Sequence, residues 1–256
     1  MDGLLKMGRL FFAIAMAFFG VQYFIYASAM KGPIPGPPWT PGAHWLAWLT
    51  GIALIAIAVS IATGRHSQLV AMLLGVALFL KILFLHLPGL ITQIRNPGPW
   101  TVTFELVALC GASFILADVM PPDDSTTSKD NIGSSLATAG RLAFAITLVV
   151  FAVQHFLYAR FIATLIPAWI PGHLFWAYCI GVAFAGAALA IAAKVQAKLA
   201  ATLLGTMFIL WALTLHLPRV AASPRNGNEV TSLFIALAMS GASFLLASSL
   251  ARDPSV

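Results

Sequence analysis

Charge is what this chain has least of. Only 9% of its 256 residues are Asp, Glu, Lys or Arg, and the acidic share is 8 residues in all, whereas soluble domains carry about a quarter charged. No large water-facing surface can be built from so little. The scarcity excludes a Rossmann unit, a nucleic-acid-binding module and any large extramembrane catalytic domain. Cysteine is scarce as well. Cys110 and Cys179 both lie inside apolar runs and form no CxxC, which argues against a disulfide framework and a thioredoxin-like redox pair. The chain also lacks an HExxH pattern, a G-x-S-x-G turn and a paired carboxylate, so no hydrolytic or metalloprotease site is written in it.

What fills the chain instead is apolar: 60% of its residues are hydrophobic. Apolar runs bounded by Gly, Pro and charge predict eight transmembrane helices near 9–30, 43–63, 68–88, 100–119, 140–162, 173–193, 198–218 and 229–250. The first run ends in Ala27-Ser28-Ala29, like a signal-peptidase site, but the same segment recurs inside the chain, so it reads as a retained helix. The net charge of +6 is then read by topology. Lys6, Arg9, Arg65, Lys129, Arg141, Lys194, Lys198 and Arg252 fall on one side, against Lys31, Arg95, Arg160, Arg219 and Arg225 on the other. The positive-inside rule puts both termini in the cytoplasm, with the bilayer, a bacterial inner membrane, as the first partner.

The two halves match. Arg9, Gln22, Phe24, Tyr26 and Ala27 fall on Arg141, Gln154, Phe156, Tyr158 and Ala159 at an offset of 132. After a slip in the first loop the offset is 130, and His86-Leu87-Pro88, Arg95-Asn96 and Gly111-Ala112-Ser113 fall on His216-Leu217-Pro218, Arg225-Asn226 and Gly241-Ala242-Ser243. An even number of spans per unit inserts both units the same way. The predicted fold is therefore an all-α membrane protein: two parallel four-helix repeats, 1–119 and 139–256, related by a pseudo-twofold axis along the membrane normal. Residues 120–138 form a polar, breaker-rich cytoplasmic linker between them. Gly51, Gly75, Gly111, Gly181, Gly205 and Gly241 suit close helix approach. No Gly- or Pro-interrupted pair is expected mid-span in matching positions.

Polar residues inside the spans gather toward the outer side: Gln22, Tyr26, His86, Gln154, His155, Tyr158 and His216. They are the candidates for a ligand pocket, because polar groups in lipid mark function by default. Amide glue, interface anchoring and helix capping are the plainer readings. His86 and His216 are expected to line an outward cavity in their own units, near Gln22 and Gln154 respectively. Lys81 and Glu105 come to similar depths on neighbouring helices and are expected to form a buried ion pair. The second half has Trp211 and Ile235 there, and His155 where the first has Tyr23. No metal site is expected, since His155 lies too deep to share a ligand shell with His173 and His216.

The motifs Phe151-Ala-Val-Gln154-His155-Phe156-Leu-Tyr158-Ala159, Pro167-Ala-Trp169-Ile170-Pro171-Gly172, His216-Leu-Pro218 and Gly241-Ala-Ser243 resemble the DoxX-like membrane proteins. Members of that family are single four-helix units, so the resemblance implies a fused pair. It also implies a membrane subunit associated with oxidase or quinone oxidoreductase complexes, whose soluble or membrane partners bring any redox cofactor. Three functions follow as expectations. The first is a scaffold with an outward pocket for a small amphiphile such as a quinone or a lipid headgroup, without catalysis of its own. The second is a quinone-reactive oxidoreductase subunit, and the third a small-solute transporter.

Overall fold

The computed structural model describes residues 3–29, 44–121 and 131–252, and the side chains of all of these except 26–29, 44, 131 and 132. Every regular element among them is helical: α1 (Gly3–Ala29), α2 (His44–Thr63), α3 (Ser67–Thr92), α4 (Pro97–Val119), α5 (Asn131–Leu157), α6 (Ala159–Leu165), α7 (His173–Ala193), α8 (Ala197–Ala222) and α9 (Gly227–Leu250). All but the short α6 are long and apolar enough to cross a membrane, which marks the chain as an integral membrane protein. The core of the expected linker, 122–130, lies outside the described residues, while 131–138 already belong to α5.

Local chemistry explains the helix ends. Asn96 and Asn226 cap α4 and α9, each side chain accepting a hydrogen bond from the backbone N–H two residues on. At the opposite end arginines meet the orphan carbonyls of helix C-termini. Arg141 donates to the carbonyls of Ile191 and Ala192, and Arg252 to that of Val119 at 2.6 Å. The guanidinium of Arg9 lies against Gly64, at the end of α2.

Two helices run further than the sequence suggests. The expected spans stop at Pro88 and Pro218, but α3 and α8 continue to Thr92 and Ala222. Proline offers no N–H to the carbonyl four residues back, and its ring crowds that carbonyl. The helix widens rather than ending: Ile82–His86 and Ala212–His216 form π turns, closed by the N–H of Leu87 on the Ile82 carbonyl and of Leu217 on the Ala212 carbonyl. A matching pair of prolines thus lies inside the spans, four residues before their ends rather than at mid-span.

Neighbours in sequence pack antiparallel, and α4 and α9, the fourth and eighth spans, pack parallel. α1 lies on α2 and α9, α4 on α3, α5 and α9, α5 on α7, and α8 on α9. α1 therefore takes α9 as its second neighbour instead of closing a four-helix group with α3 and α4. Small residues permit this: Gly8 meets Gly241 and Gly111 meets Gly140, backbone on backbone. Large side chains fill the space around those crossings, with Phe12, Ile115, Leu116, Phe144, Leu148 and Leu245 fully buried. Gly75 and Gly205 accept the rings of Phe114 and Phe244.

Candidate functional site

The end of the bundle where α1 and α5 finish, called here the far end, gathers the polar side chains. Gln22 is buried, and its amide donates to the Thr231 hydroxyl at 2.8 Å. Gln154 accepts from the Thr101 hydroxyl at 3.2 Å and donates to the Pro97 carbonyl at 3.2 Å. Thr231 is on α9 and Thr101 on α4, so each glutamine bonds a helix of the other half, not its own unit. Both amides are engaged as helix-to-helix glue. Tyr158 sits at the break between α5 and α6 and is exposed, while the Tyr26 side chain lies outside the described residues.

The expected Lys81–Glu105 ion pair does not form. The Lys81 ammonium instead donates to the Tyr23 hydroxyl on α1 at 3.4 Å, and Glu105 has no hydrogen-bond or salt-bridge partner among the described residues. In the second half the matching residues also meet each other, as rings: His155 stacks on Trp211 with centroids 6.5 Å apart. His155 also packs edge-on against Phe184 at 5.1 Å, and its Nδ1 is 2.8 Å from the Phe151 carbonyl. That oxygen can only accept, so Nδ1 carries a proton and Nε2 faces away from the bond.

His216 and its surroundings hold chemistry that the sequence reading missed. Arg219 is one turn beyond His216, and its guanidinium binds Glu229 at 2.6 Å. The other Glu229 oxygen, Oε2, and the Nδ1 of His216 are both buried without a hydrogen-bond partner among the described residues, and His216 lies within electrostatic range of both charged groups. Arg219 also borders an open depression of about 320 Å³, lined with it by residues 164–167, Pro218 and Ala222. The signal was present in the sequence: a cation three residues after the histidine shares its helix face, and Glu229 opens the next helix. His86 in the first half is half-buried near Lys81, with Gly89 and Pro99 in place of the arginine and glutamate.

Among the described residues no group of three His, Cys, Asp or Glu side chains converges as a metal site would require. Cys110 packs on α3, its thiol 3.3 Å from the Gly75 carbonyl, as the Ser240 hydroxyl does at 2.7 Å from that of Gly205. No family model, curated protein or solved structure matches this chain.

Proposed function

We propose that this chain is a DoxX-like integral membrane scaffold that holds a small amphiphile at its far end and performs no catalysis of its own. One observation carries the reading: two buried polar atoms, His216 Nδ1 and Glu229 Oε2, lack hydrogen-bond partners among the described residues, and Arg219, which binds Glu229, also borders an open depression. A buried polar group without a hydrogen bond is costly, and a ligand headgroup or a bound water satisfies it. The apolar lining of Leu165, Ile166, Pro167 and Pro218 suits the body of an amphiphile.

The architecture proposed with it is two parallel four-helix units related by a pseudo-twofold axis along the membrane normal. Paired contacts support it, since Gly8–Gly241 and Gln22–Thr231 have counterparts of the same residue types in Gly140–Gly111 and Gln154–Thr101. The lysine and arginine distribution supports cytoplasmic termini in a bacterial inner membrane. Partner oxidoreductase subunits would bring any redox cofactor.

The test is purification in mild detergent, with mass spectrometry of what accompanies the protein. Wild type should carry one amphiphile that Glu229→Gln and His216→Leu lose; retention by both variants removes the pocket from this location. A quinone-reactive role is the second reading, favoured by the free ring nitrogen of His216, which could hydrogen-bond a quinone carbonyl. A copurifying quinone with a redox-dependent ultraviolet spectrum would select it. The transporter reading gains the matched π turns, since interrupted helices in corresponding positions accompany transport sites. Solute flux in proteoliposomes would select that one.

A further inference from the structure

At the end of the bundle opposite the far end, the three residues 194–196 join α7 to α8. Lys194 and Gln196 both have positive φ there, +58° and +51°. The matching turn of the first half has Gly64 at +79° and His66 at +50°. Glycine adopts that conformation freely, while a side chain strains it, so the second half carries a lysine where its own backbone favours glycine. The contrast repeats four residues on. Lys198 stands where the first half has Gln68, and both added ammonium groups therefore belong to one helix junction.

The depth of this junction follows from the length of α7. Its 21 residues span about 31 Å at 1.5 Å each, close to the thickness of the hydrocarbon layer, so Lys194, just past its end, stands where lipid headgroups begin. An open depression of about 550 Å³ lies here, bordered by Lys194, Gln196 and Lys198, with Leu199 and Leu250 as its apolar wall. Among the described residues no acid lines it. The Lys198 ammonium has no hydrogen-bond or salt-bridge partner among them either. Leu199 is 53% exposed and Leu203, one turn further into the span on the same helix face, 60%. An apolar track thus leads from the depression into the membrane.

We infer that this depression binds an anionic phospholipid of the adjoining leaflet, its phosphate on Lys198 and Lys194 and an acyl chain along Leu199 and Leu203. Charge complementarity selects an anionic headgroup, because the lining offers two cations and no acid. The apolar track selects a phosphate that arrives attached to a chain. This goes beyond the scaffold reading, whose pocket lies at the other end of the bundle.

The test is native mass spectrometry of the full chain in mild detergent supplemented with phosphatidylglycerol or with phosphatidylcholine of the same chains. Wild type should retain one phosphatidylglycerol in preference to phosphatidylcholine. Lys198→Gln, which borrows the residue of the first half, should cut that preference about fivefold, the effect of one lysine near an anionic lipid, and Lys198→Arg should keep it. Lys194→Gly should cut it likewise in a turn relieved of strain, so it decides the matter if Lys198→Gln does not elute as folded protein. Leu199→Ala should lower retention of both phospholipids. Arg65 is exposed in the matching turn of the first half, and Arg65→Gln should leave the preference unchanged; so should Glu229→Gln, which separates this site from the proposed pocket. Equal retention of phosphatidylglycerol by wild type, Lys198→Gln and Lys194→Gly overturns the inference. An equal drop in Arg65→Gln overturns it in favour of total charge, and displacement of the lipid by millimolar inorganic phosphate in favour of a free anion.

Discussion

Gly111 and Gly140 face each other so closely that a methyl group on either would sit 2.5 Å from the carbonyl oxygen of the other. The clash would be with backbone, which cannot swing aside, so α4 and α5 would have to separate. We expect Gly111→Ala or Gly140→Ala to destabilise the fold by about 1–3 kcal/mol, the usual range for overpacking, read as a lowered unfolding midpoint. Gly186→Ala is the control, because nothing lies within 4 Å of its added methyl; it should be neutral or stabilising. Equal effects at the three positions would contradict the close crossing.

The glutamines should matter less than their burial suggests. Thr231 also donates to the Gly227 carbonyl and Thr101 lies 3.1 Å from that of Pro97, so both hydroxyls keep a partner when the amide is removed. Gln22→Leu and Gln154→Leu are each expected to cost about 0.6 kcal/mol, the average for interhelical hydrogen bonds in a membrane. A loss above about 2 kcal/mol would mean that the amides do more than join helices.

For Arg219 and Glu229 the expected signature is non-additivity. Removing one partner strands the other charge in a largely enclosed position, while removing both leaves neither. With the arginine about a third exposed, a coupling of roughly 0.5–2 kcal/mol is expected for Arg219→Met with Glu229→Gln. A double-mutant cycle by detergent unfolding measures it. Additive losses would show an ion pair that contributes nothing.

Pro218→Ala removes the cause of one π turn. With an N–H restored at 218, the Thr214 carbonyl gains a partner and the turn can tighten to α-helix. Everything after it would then rotate by about 100°, one residue's worth. Arg219 would leave Glu229. We expect a cysteine pair placed at 219 and 229 to cross-link in the otherwise wild-type chain and to lose that cross-link when Pro218→Ala is added. Unchanged cross-linking would mean that packing, not proline, holds the π turn.

How far the sequence reaches is clearest at these same residues. Eight spans were legible because lipid leaves a strong compositional mark. The π turns were not, since a proline at the edge of an apolar run reads as a stop until neighbours show that the helix continues. Counting 1.5 Å per residue from an end at Pro88 gives Lys81 and Glu105 a common depth, but α3 runs on to Thr92, and depth says nothing of the direction around the axis, in which the lysine meets Tyr23. The match between Gln22 and Gln154 revealed equivalent positions without saying which half each would touch. In the sequence Arg219 counts only as a charge for orientation, and Glu229 only as the first residue of the last expected span. Their meeting depends on α8 running past Pro218.

The packing of α1 on α9 imposes an order on synthesis. Gly227, which opens α9, is made about 200 residues after Ala29 closes α1, a delay of roughly 10–40 s at ordinary translation speeds. Throughout that interval the face of α1 bearing Gly8, Phe12 and Gln22 has no native neighbour except lipid or whatever chaperone shields it. The buried amide of Gln22 gains Thr231 only when the eighth span arrives. Release from the insertion machinery and completion of the bundle are thus separate events, and a nascent chain stalled before α9 would show proteases and membrane chaperones a polar, glycine-notched helix that the finished protein conceals.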